Sequence, residues 1–182
     1  MELQNKTIIY WTLLKHKNWN MYMAATSKGL CYVGPQNRSF KELVIWAEKH
    51  IPGSSLLENT EQLQPYMVQL VEYFEGRRKN FTISFDYKGT AFQLAVWNAL
   101  CEIPYGQTKS YSDLANAISK PAAVRAVGAA IGKNPILITV PCHRVIGKNG
   151  SLTGFRGGLD MKTELLDLER KNSIGAGEFD PV

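Results

Sequence analysis

The sequence predicts a protein of the α/β class, with a mixed first half and a mainly helical second half. Short runs of alternating apolar and polar residues are interspersed with helical stretches in residues 1–88. From residue 89 onward the apolar residues recur at helical spacing, and two short helices form a candidate helix-turn-helix. A length of 182 residues and a hydrophobic fraction of 45% suit a folded protein with a sizeable core and exclude the disordered and collagen-like classes.

Alternating and β-branched runs predict the strands, and the one at residues 8–14 is too short and too interrupted for a signal peptide. Ser27, Lys28 and Gly29 indicate a tight turn, so the strands on either side should form a hairpin. We predict strands at residues 8–14, 20–26, 30–33, 81–87 and 136–140.

Capping signals and apolar periodicity predict the helices. Capping boxes at Ser39 and Thr90 open two of them, and Ser110 caps a short third one. Pro121 fits the first turn of the next helix, which Gly132 ends. We predict helices at residues 40–50, 60–76, 91–103, 111–118, 122–131 and 159–171.

The positive charge is concentrated around the candidate helix-turn-helix. The net charge is +5, and residues 91–156 carry seven Lys or Arg against two Asp or Glu. A basic segment permits a nucleic-acid partner, although a solvated lysine-rich face is the commoner cause. Lys148, Asn149 and Gly150 then turn the chain, much as a wing does after a helix-turn-helix.

The sequence lacks the features of membrane, disulfide-rich and zinc-binding proteins. No apolar run reaches the ~18 residues of a membrane helix. Three scattered cysteines are too few for a disulfide framework, which favours the cytoplasm. The three histidines form no pair with the spacing of zinc ligands, so we expect neither a metal nor a cofactor.

Cys142 is the candidate nucleophile because it follows a proline and precedes His143 and Arg144. Positive neighbours lower the pKa of a thiol, and a histidine can take its proton, so we expect a moderately lowered thiol pKa here. Cys31 and Cys101 lie in apolar stretches, where a small buried side chain is the default. A buried structural cysteine is the alternative for Cys142 too.

Glu169 falls on the apolar side of the last predicted helix, where a carboxylate must find a partner or be neutral. His143 is a natural partner, which would give a Cys–His–Glu relay with the carboxylate orienting the imidazole. The alternatives are an ion pair between Glu169 and Lys162 on the same helix, or simple extension of the carboxylate to solvent.

Small residues surround Arg125 in the second helix of the helix-turn-helix. Gly128 costs about 1 kcal/mol relative to alanine inside a helix, so its presence beside Ala126 indicates close approach of another backbone. That backbone could belong to another helix or to a nucleic acid. Arg125 has little steric cover and can project into a groove or a base stack, unless it is an ordinary exposed arginine.

Residues 141–145 read PCHRV, which resembles the active-site signature of the O6-alkylguanine-DNA alkyltransferases, also called methylated-DNA–protein-cysteine methyltransferases. The resemblance covers residues 80–171. It implies an RNase H-like α/β domain at 1–88, a mainly helical DNA-binding and alkyl-acceptor domain with a winged helix-turn-helix at 89–172, and a flexible tail at 173–182. The further matching motifs are IPYG at 103–106, SY at 110–111, RAVG at 125–128, NP at 134–135, GGL at 157–159, and Lys162, Leu165, Leu166 and Glu169.

The resemblance implies a DNA repair protein that moves the alkyl group of O6-alkylguanine, and of O4-alkylthymine, irreversibly onto its own cysteine. Cys142 would be the acceptor, His143 would be its base through a water, and Glu169 would orient His143. Asn134 would order the surrounding turn, and Tyr111 would help guanine to leave.

The resemblance also implies how DNA is bound. Arg125 would fill the gap left by the flipped base, while Ala126 and Gly128 would allow close approach to the minor groove. Tyr111 would lie at the same interface. The guanine pocket would be lined by Val145, Phe155 and Arg156, the last two replacing the tyrosine and serine of some relatives.

The expected partner is double-stranded DNA that contains O6-alkylguanine, bound by a monomer without metal, cofactor or membrane. The N-terminal Cys/His cluster of zinc-binding relatives is absent from the sequence. A helix-turn-helix protein that binds lesions without transfer is one alternative. A Cys–His hydrolase is another, although the sequence lacks the oxyanion-hole glycines expected before such a nucleophile.

Overall fold

The computed structural model describes residues 5–174, and the first half of this range is built on a four-stranded sheet. Its strands are β1 (Ile8–His16), β2 (Trp19–Thr26), β3 (Gly29–Val33) and β4 (Ser55–Glu58). The order is β3-β2-β1-β4, in which β4 pairs parallel with β1 and the other pairs are antiparallel. The predicted hairpin is confirmed as the β2–β3 connection.

Strand β4 has no counterpart among the predicted strands. It has only four residues, and the preceding Pro52 and Gly53 favour a break in the chain. Its pairing is entirely with residues 8–11 of β1, so a long-range contact forms this strand rather than a local pattern.

A second, two-stranded parallel sheet joins β5 (Lys109–Ser110) to β6 (Val145–Ile146). The described chain also contains six α-helices: α1 (Phe40–His50), α2 (Thr60–Phe74), α3 (Ala91–Cys101), α4 (Tyr111–Ala117), α5 (Val124–Gly132) and α6 (Leu159–Ile174). The capping box at Thr90 forms, and Ser110 caps α4 through a second one. The prediction of a capping box at Ser39 is wrong, because the Ser39 side chain makes no capping hydrogen bond. The backbone carbonyl oxygen of Ser39 instead accepts a hydrogen bond from the Glu42 N–H at 3.1 Å. The Glu42 side chain instead pairs with Arg38 at 3.7 Å.

The predicted strand at residues 81–87 is wrong. The segment is extended, but its only bridge joins Phe85 to Leu30, where the Leu30 N–H donates to Ser84 O and the Asp86 N–H to Leu30 O, both at 2.9 Å. The alternation in the sequence comes from packing, because Phe81 and its alternate apolar neighbours lie against the core without a partner strand along their length.

The predicted strand at residues 136–140 is also wrong. Only Ile136 forms a bridge, to Val33, and the chain then makes tight turns with Ile138 at a φ of 70°. The Thr139 N–H donates to Leu137 O at 2.8 Å inside this turn. The β-branched composition therefore reflects burial, since residues 134–145 are all buried.

Helices α4 and α5 are joined by residues 118–123, a longer connection than the predicted three or four residues. Pro121 lies in that connection and α5 begins only at Val124, because the Lys120 N–H donates back to Ala115 O and closes a turn. Helix α6 continues to Ile174, past the predicted end at residue 171 and into the start of the predicted tail. The rest of that tail, residues 175–182, lies outside the described residues.

The two halves share one hydrophobic core. The indole N–H of Trp97 on α3 donates to Ala130 O on α5 at 2.9 Å. Between the halves, the Leu137 N–H donates to the Val33 carbonyl oxygen of β3 at 3.1 Å, which connects the buried segment 134–145 to the sheet. Core side chains from both halves include Leu30, Val33, Leu70, Val127 and Leu165. None of the helices within residues 5–174 combines the length and the apolar composition that a membrane span requires.

Gly29 should be far more sensitive to substitution than a glycine in an open turn. A Cβ on Gly29, at a φ of 153°, would overlap the Ser84 carbonyl that pairs with β3. We expect Gly29→Ala to lower the free energy of unfolding by about 3 kcal/mol, measured by urea denaturation. Gly53→Ala is the control: its φ is 77° but no atom lies within 4 Å of its Cβ, so about 1 kcal/mol is expected. Equal losses would contradict the packing argument.

Candidate active site

The buried segment 134–145 is organised by Asn134, which is fully buried. Its side-chain amide donates to Val140 O at 2.9 Å, and its Oδ1 accepts from the Ile136 N–H at 2.9 Å. These bonds close the turn that leads into a 3₁₀ turn at Cys142–Arg144. The amide of Asn134 thus fixes the backbone from which Cys142 and His143 project.

Glu169, on α6, holds two side chains of the 3₁₀ turn at once. Its Oε2 is 2.6 Å from Nε2 of His143, and its Oε1 accepts from Nε of Arg144 at 2.6 Å. Arg144 also donates from Nη1 to Ile103 O at 2.7 Å. All three side chains are at most 7% exposed. The partner predicted for Glu169 is therefore the one found, with Arg144 as a second.

Lys162 does not pair with Glu169, which removes the alternative considered for the last helix. Its Nζ donates to Val145 O at 2.5 Å and to Thr153 O at 3.2 Å. Lys162 is 1% exposed and fastens the chain after the 3₁₀ turn to α6. Burial lowers the pKa of this ammonium group.

The pKa shifts of Glu169 and His143 indicate which of these two groups is charged. Burial raises the pKa of Glu169, but the hydrogen bonds and charges of His143 and Arg144 outweigh burial and hold the pKa below its usual range. Burial lowers the pKa of His143, so the ring is neutral at neutral pH. We assign its proton to Nε2, which faces the carboxylate. Nδ1 is then a buried lone pair without a hydrogen-bond partner among the described residues.

Cys142 departs from the prediction in one respect. Only 3% of the residue is exposed, and burial raises its thiol pKa, although the Asn134 side chain and the charges of Arg156 and Lys162 act to lower it. The expected lowered pKa is therefore wrong, because desolvation exceeds the effect of the positive neighbours. In this structure Cys142 is a neutral thiol, and His143, which follows it in the chain, carries a neutral imidazole.

The other two cysteines differ from each other. Cys31 is buried as expected, and burial raises its pKa to about 12. Cys101 is exposed at the end of α3, contrary to the expectation of a buried side chain, and its Sγ lies 3.7 Å from the Tyr87 hydroxyl.

Tyr111 and Gly128 meet where α4 packs on α5. A Cβ on Gly128 would lie 3.7 Å from the Tyr111 ring, an ordinary contact, and no other group would lie within 4 Å. Close packing of another helix therefore does not explain this glycine. The Tyr111 hydroxyl is 2.8 Å from Oγ1 of Thr153, which joins α4 to the chain before α6. Arg125 and Ala126 are exposed on α5.

The three predicted pocket residues lie in different environments. Val145 is fully buried, while Phe155 and Arg156 are half-buried. The Arg156 guanidinium reaches the first half, donating to Val33 O and Pro135 O at 3.3 Å each and lying 5.6 Å from the centre of the Tyr32 ring.

The sequence did not predict the contacts of two buried residues at the site: Arg144 was expected only as a positive neighbour of Cys142, and Lys162 only as an alternative partner of Glu169. Their partners could not be read from the sequence, because Ile103 O and Val145 O are backbone atoms. No group of three His, Cys, Asp or Glu that could hold a metal ion occurs among residues 5–174.

Both halves of the sequence match profiles of known families. Residues 9–87 match a family described as 6-O-methylguanine DNA methyltransferase, ribonuclease-like domain. Residues 91–171 match one described as 6-O-methylguanine DNA methyltransferase, DNA binding domain.

Relatives resemble the chain over almost its full length. An inducible methylated-DNA–protein-cysteine methyltransferase of Bacillus subtilis is 68% identical and covers 93% of this chain and 94% of its own. One from Methanosarcina mazei is 41% identical, covering 90% and 99%. Among solved structures, the O6-methylguanine methyltransferase of Mycobacterium tuberculosis has a TM-score of 0.78 at 35% identity, covering 90% and 94%. A structure of the M. tuberculosis protein OGT in complex with DNA has a TM-score of 0.76 at the same identity and coverage.

Removal of the Arg144 guanidinium should destabilise the protein strongly, because it leaves the buried Glu169 carboxylate with one partner fewer. We expect Arg144→Met to lower the free energy of unfolding by about 3–5 kcal/mol in urea denaturation at neutral pH. Arg170→Met is the matched control: it breaks an exposed pair with Asp167, so the loss should stay below about 1 kcal/mol. Similar losses in the two variants would contradict a special role for Arg144.

Acid should destabilise the protein through His143 first. The pKa of His143 lies below its ordinary 6.5 and that of Glu169 below 4.5, so in acid the folded state binds fewer protons than the unfolded chain. The free energy of unfolding should therefore fall as the pH drops below 6.5, and fall further below 4.5. Denaturation of wild type and His143→Gln across this range measures the effect. The variant should lose the part of the decline between pH 6.5 and 5; identical slopes would contradict it.

Proposed function

Because the chain belongs to the 6-O-methylguanine DNA methyltransferase family, we propose that Cys142 is the cysteine on which it receives the alkyl group. The reaction is direct-reversal DNA repair, in which an alkyl group leaves O6 of guanine in DNA and stays on the protein. The observation that carries the assignment is the buried Glu169–His143 pair, in which His143 directly follows Cys142 in the chain. Neither Cys31 nor Cys101 has an imidazole–carboxylate pair beside it in the sequence.

The proton moves as the sulfur reacts. The Cys142 thiol gives its proton, through a water, to Nδ1 of His143, whose other nitrogen is held by Glu169. The sulfur electron pair forms the S–C bond while the C–O6 bond breaks, and the bonding electrons leave with guanine. Glu169 stabilises the resulting imidazolium. The thioether product is not reversed, so each molecule acts once.

The hydroxyl of Tyr111 donates a hydrogen bond to the departing guanine, which makes it a better leaving group. Val145, Phe155 and Arg156 line the pocket that receives the base, and O4-alkylthymine is a second substrate. Asn134 acts as a positioning residue, since its two bonds fix the turn that carries Cys142.

Base flipping follows from burial of the thiol. With 3% of Cys142 exposed, the sulfur cannot meet an O6 that is stacked inside a duplex, so the nucleotide must rotate out. Arg125 takes its place in the stack. The small Ala126 and Gly128 let α5 lie close to the minor groove, since neither carries a long side chain.

We further propose two domains, at residues 1–88 and 89–172, in a cytoplasmic monomer that binds duplex DNA containing O6-alkylguanine. The positive charge of residues 91–156 supports a polyanionic partner for the second domain.

Mass spectrometry of peptides tests the acceptor directly. After incubation with a duplex that contains O6-methylguanine, one methyl group per protein molecule should appear on the Cys142 peptide. Cys142→Ser should bind the duplex and take up nothing, whereas Cys101→Ser should react as wild type. Tyr111→Phe should react about tenfold more slowly, the equivalent of one hydrogen bond.

Two outcomes would overturn the proposal. Methyl uptake on Cys31 or Cys101 would move the acceptor elsewhere. Binding of the lesion with no uptake, unaffected by blocking of the thiols, would indicate a binding protein without transferase activity.

A further inference from the structure

A cavity of about 690 Å³ lies between the two halves, away from the residues of the candidate active site except Arg156. The end of α1, the start of α3 and the end of α5 form its walls. None of the residues that line it is acidic. The basic lining residues are Lys49, His50, Lys88, Lys133 and Arg156. We call this cavity the basic cleft.

The backbone adds to the positive potential of the basic cleft. Thr90 and Gln93 line it, so the N-terminal end of α3 opens into the cleft. The first turn of α3 contains no acidic residue that would offset the positive end of the helix dipole. An anion is therefore the ligand that this arrangement favours.

Not all the cations of the basic cleft are free to bind a ligand. Lys88 pairs with Asp86 at 3.3 Å, and Arg156 donates to two backbone carbonyls, although its Nε is buried without a partner among the described residues. Lys49 and Lys133 are both exposed. Lys49 lies in the last turn of α1 and Lys133 directly follows α5, and both line the cleft. They are the cations available to an incoming anion.

The position of Lys133 connects the basic cleft to the proposed DNA interface. Lys133 directly follows α5 and is eight residues beyond Arg125, so about 12 Å separates them along the helix axis at about 1.5 Å per residue. Successive nucleotides of one strand are about 3.4 Å apart along the duplex axis. The distance from Arg125 to Lys133 along α5 therefore equals the length of about three or four nucleotides.

We propose that the basic cleft binds backbone phosphates of the same duplex, a few nucleotides from the flipped base, through Lys49 and Lys133. The inference rests on the proposed function, since it takes the duplex to be positioned by α5. Its consequence is that the first half of the chain, through Lys49 on α1, contacts DNA itself.

The salt dependence of DNA binding measures these contacts. Each lysine–phosphate contact contributes about 0.9 to the slope of log K against log salt for duplex DNA. We expect Lys49→Ala and Lys133→Ala each to reduce this slope by about 0.9, and the double variant by about twice as much, in titrations of a lesion-containing duplex. Lys41→Ala is the control, because Lys41 is exposed on the same helix α1 but does not line the cleft.

A duplex shortened on one side of the lesion distinguishes phosphate binding in the cleft from non-specific attraction between the positive protein and DNA. If the cleft holds phosphates, Lys49→Ala and wild type should bind equally once the flanking nucleotides on that side are removed. Slopes for Lys49→Ala and Lys133→Ala that match Lys41→Ala on the long duplex would overturn the proposal. The proposed function has a separate test. If the wild type takes up methyl neither from DNA nor from the free modified base, the proposed function is refuted, whatever the lysine variants show.

Discussion

The carboxylate of Glu169 must stay ionised inside the core, and the geometry around Cys142 follows from how this is achieved. Burial of an unpaired carboxylate costs a large free energy. Arg144, a permanent cation, offsets this cost by contacting one of the Glu169 oxygens. The other oxygen accepts a hydrogen bond from the Nε2–H of His143. That leaves Nδ1 with a lone pair, which is the form of the imidazole needed to receive a proton from a thiol.

The two halves of the chain are coupled through this segment rather than merely adjacent. The Val33 N–H donates to Pro135 O and the Leu137 N–H donates to Val33 O, so the end of β3 supports the turn before Cys142. Arg156 adds a third connection, because its guanidinium reaches Val33 O from the other side. A sheet that carries none of the reacting groups thus helps to fix their positions.

Local patterns in the sequence were sufficient where local interactions decide the structure. The β2–β3 hairpin, the capping box at Thr90 and the pairing of His143 with Glu169 all follow from short motifs or from one helical face. The strands expected at residues 81–87 and 136–140 failed, because apolar alternation and β-branched composition report burial and not the presence of a partner strand.

The predictions about charge failed for a related reason. The sequence shows that His143 and Arg144 are next to Cys142, but it does not show how deeply the thiol is buried, and burial decides the direction of its pKa. Similarly, the partners of Arg144 and Lys162 include backbone carbonyl oxygens, which any residue could supply. Such partners become visible only when the fold brings them together.

The burial of Cys142 also affects how easily its thiol is oxidised before the protein binds DNA. Oxidants attack thiolates that solvent can reach, and each step beyond sulfenic acid is difficult to undo. A protonated sulfur with 3% of its residue exposed is therefore shielded from peroxide and from stray electrophiles. For the single-use acceptor that we propose Cys142 to be, this shielding preserves the working lifetime of the whole molecule.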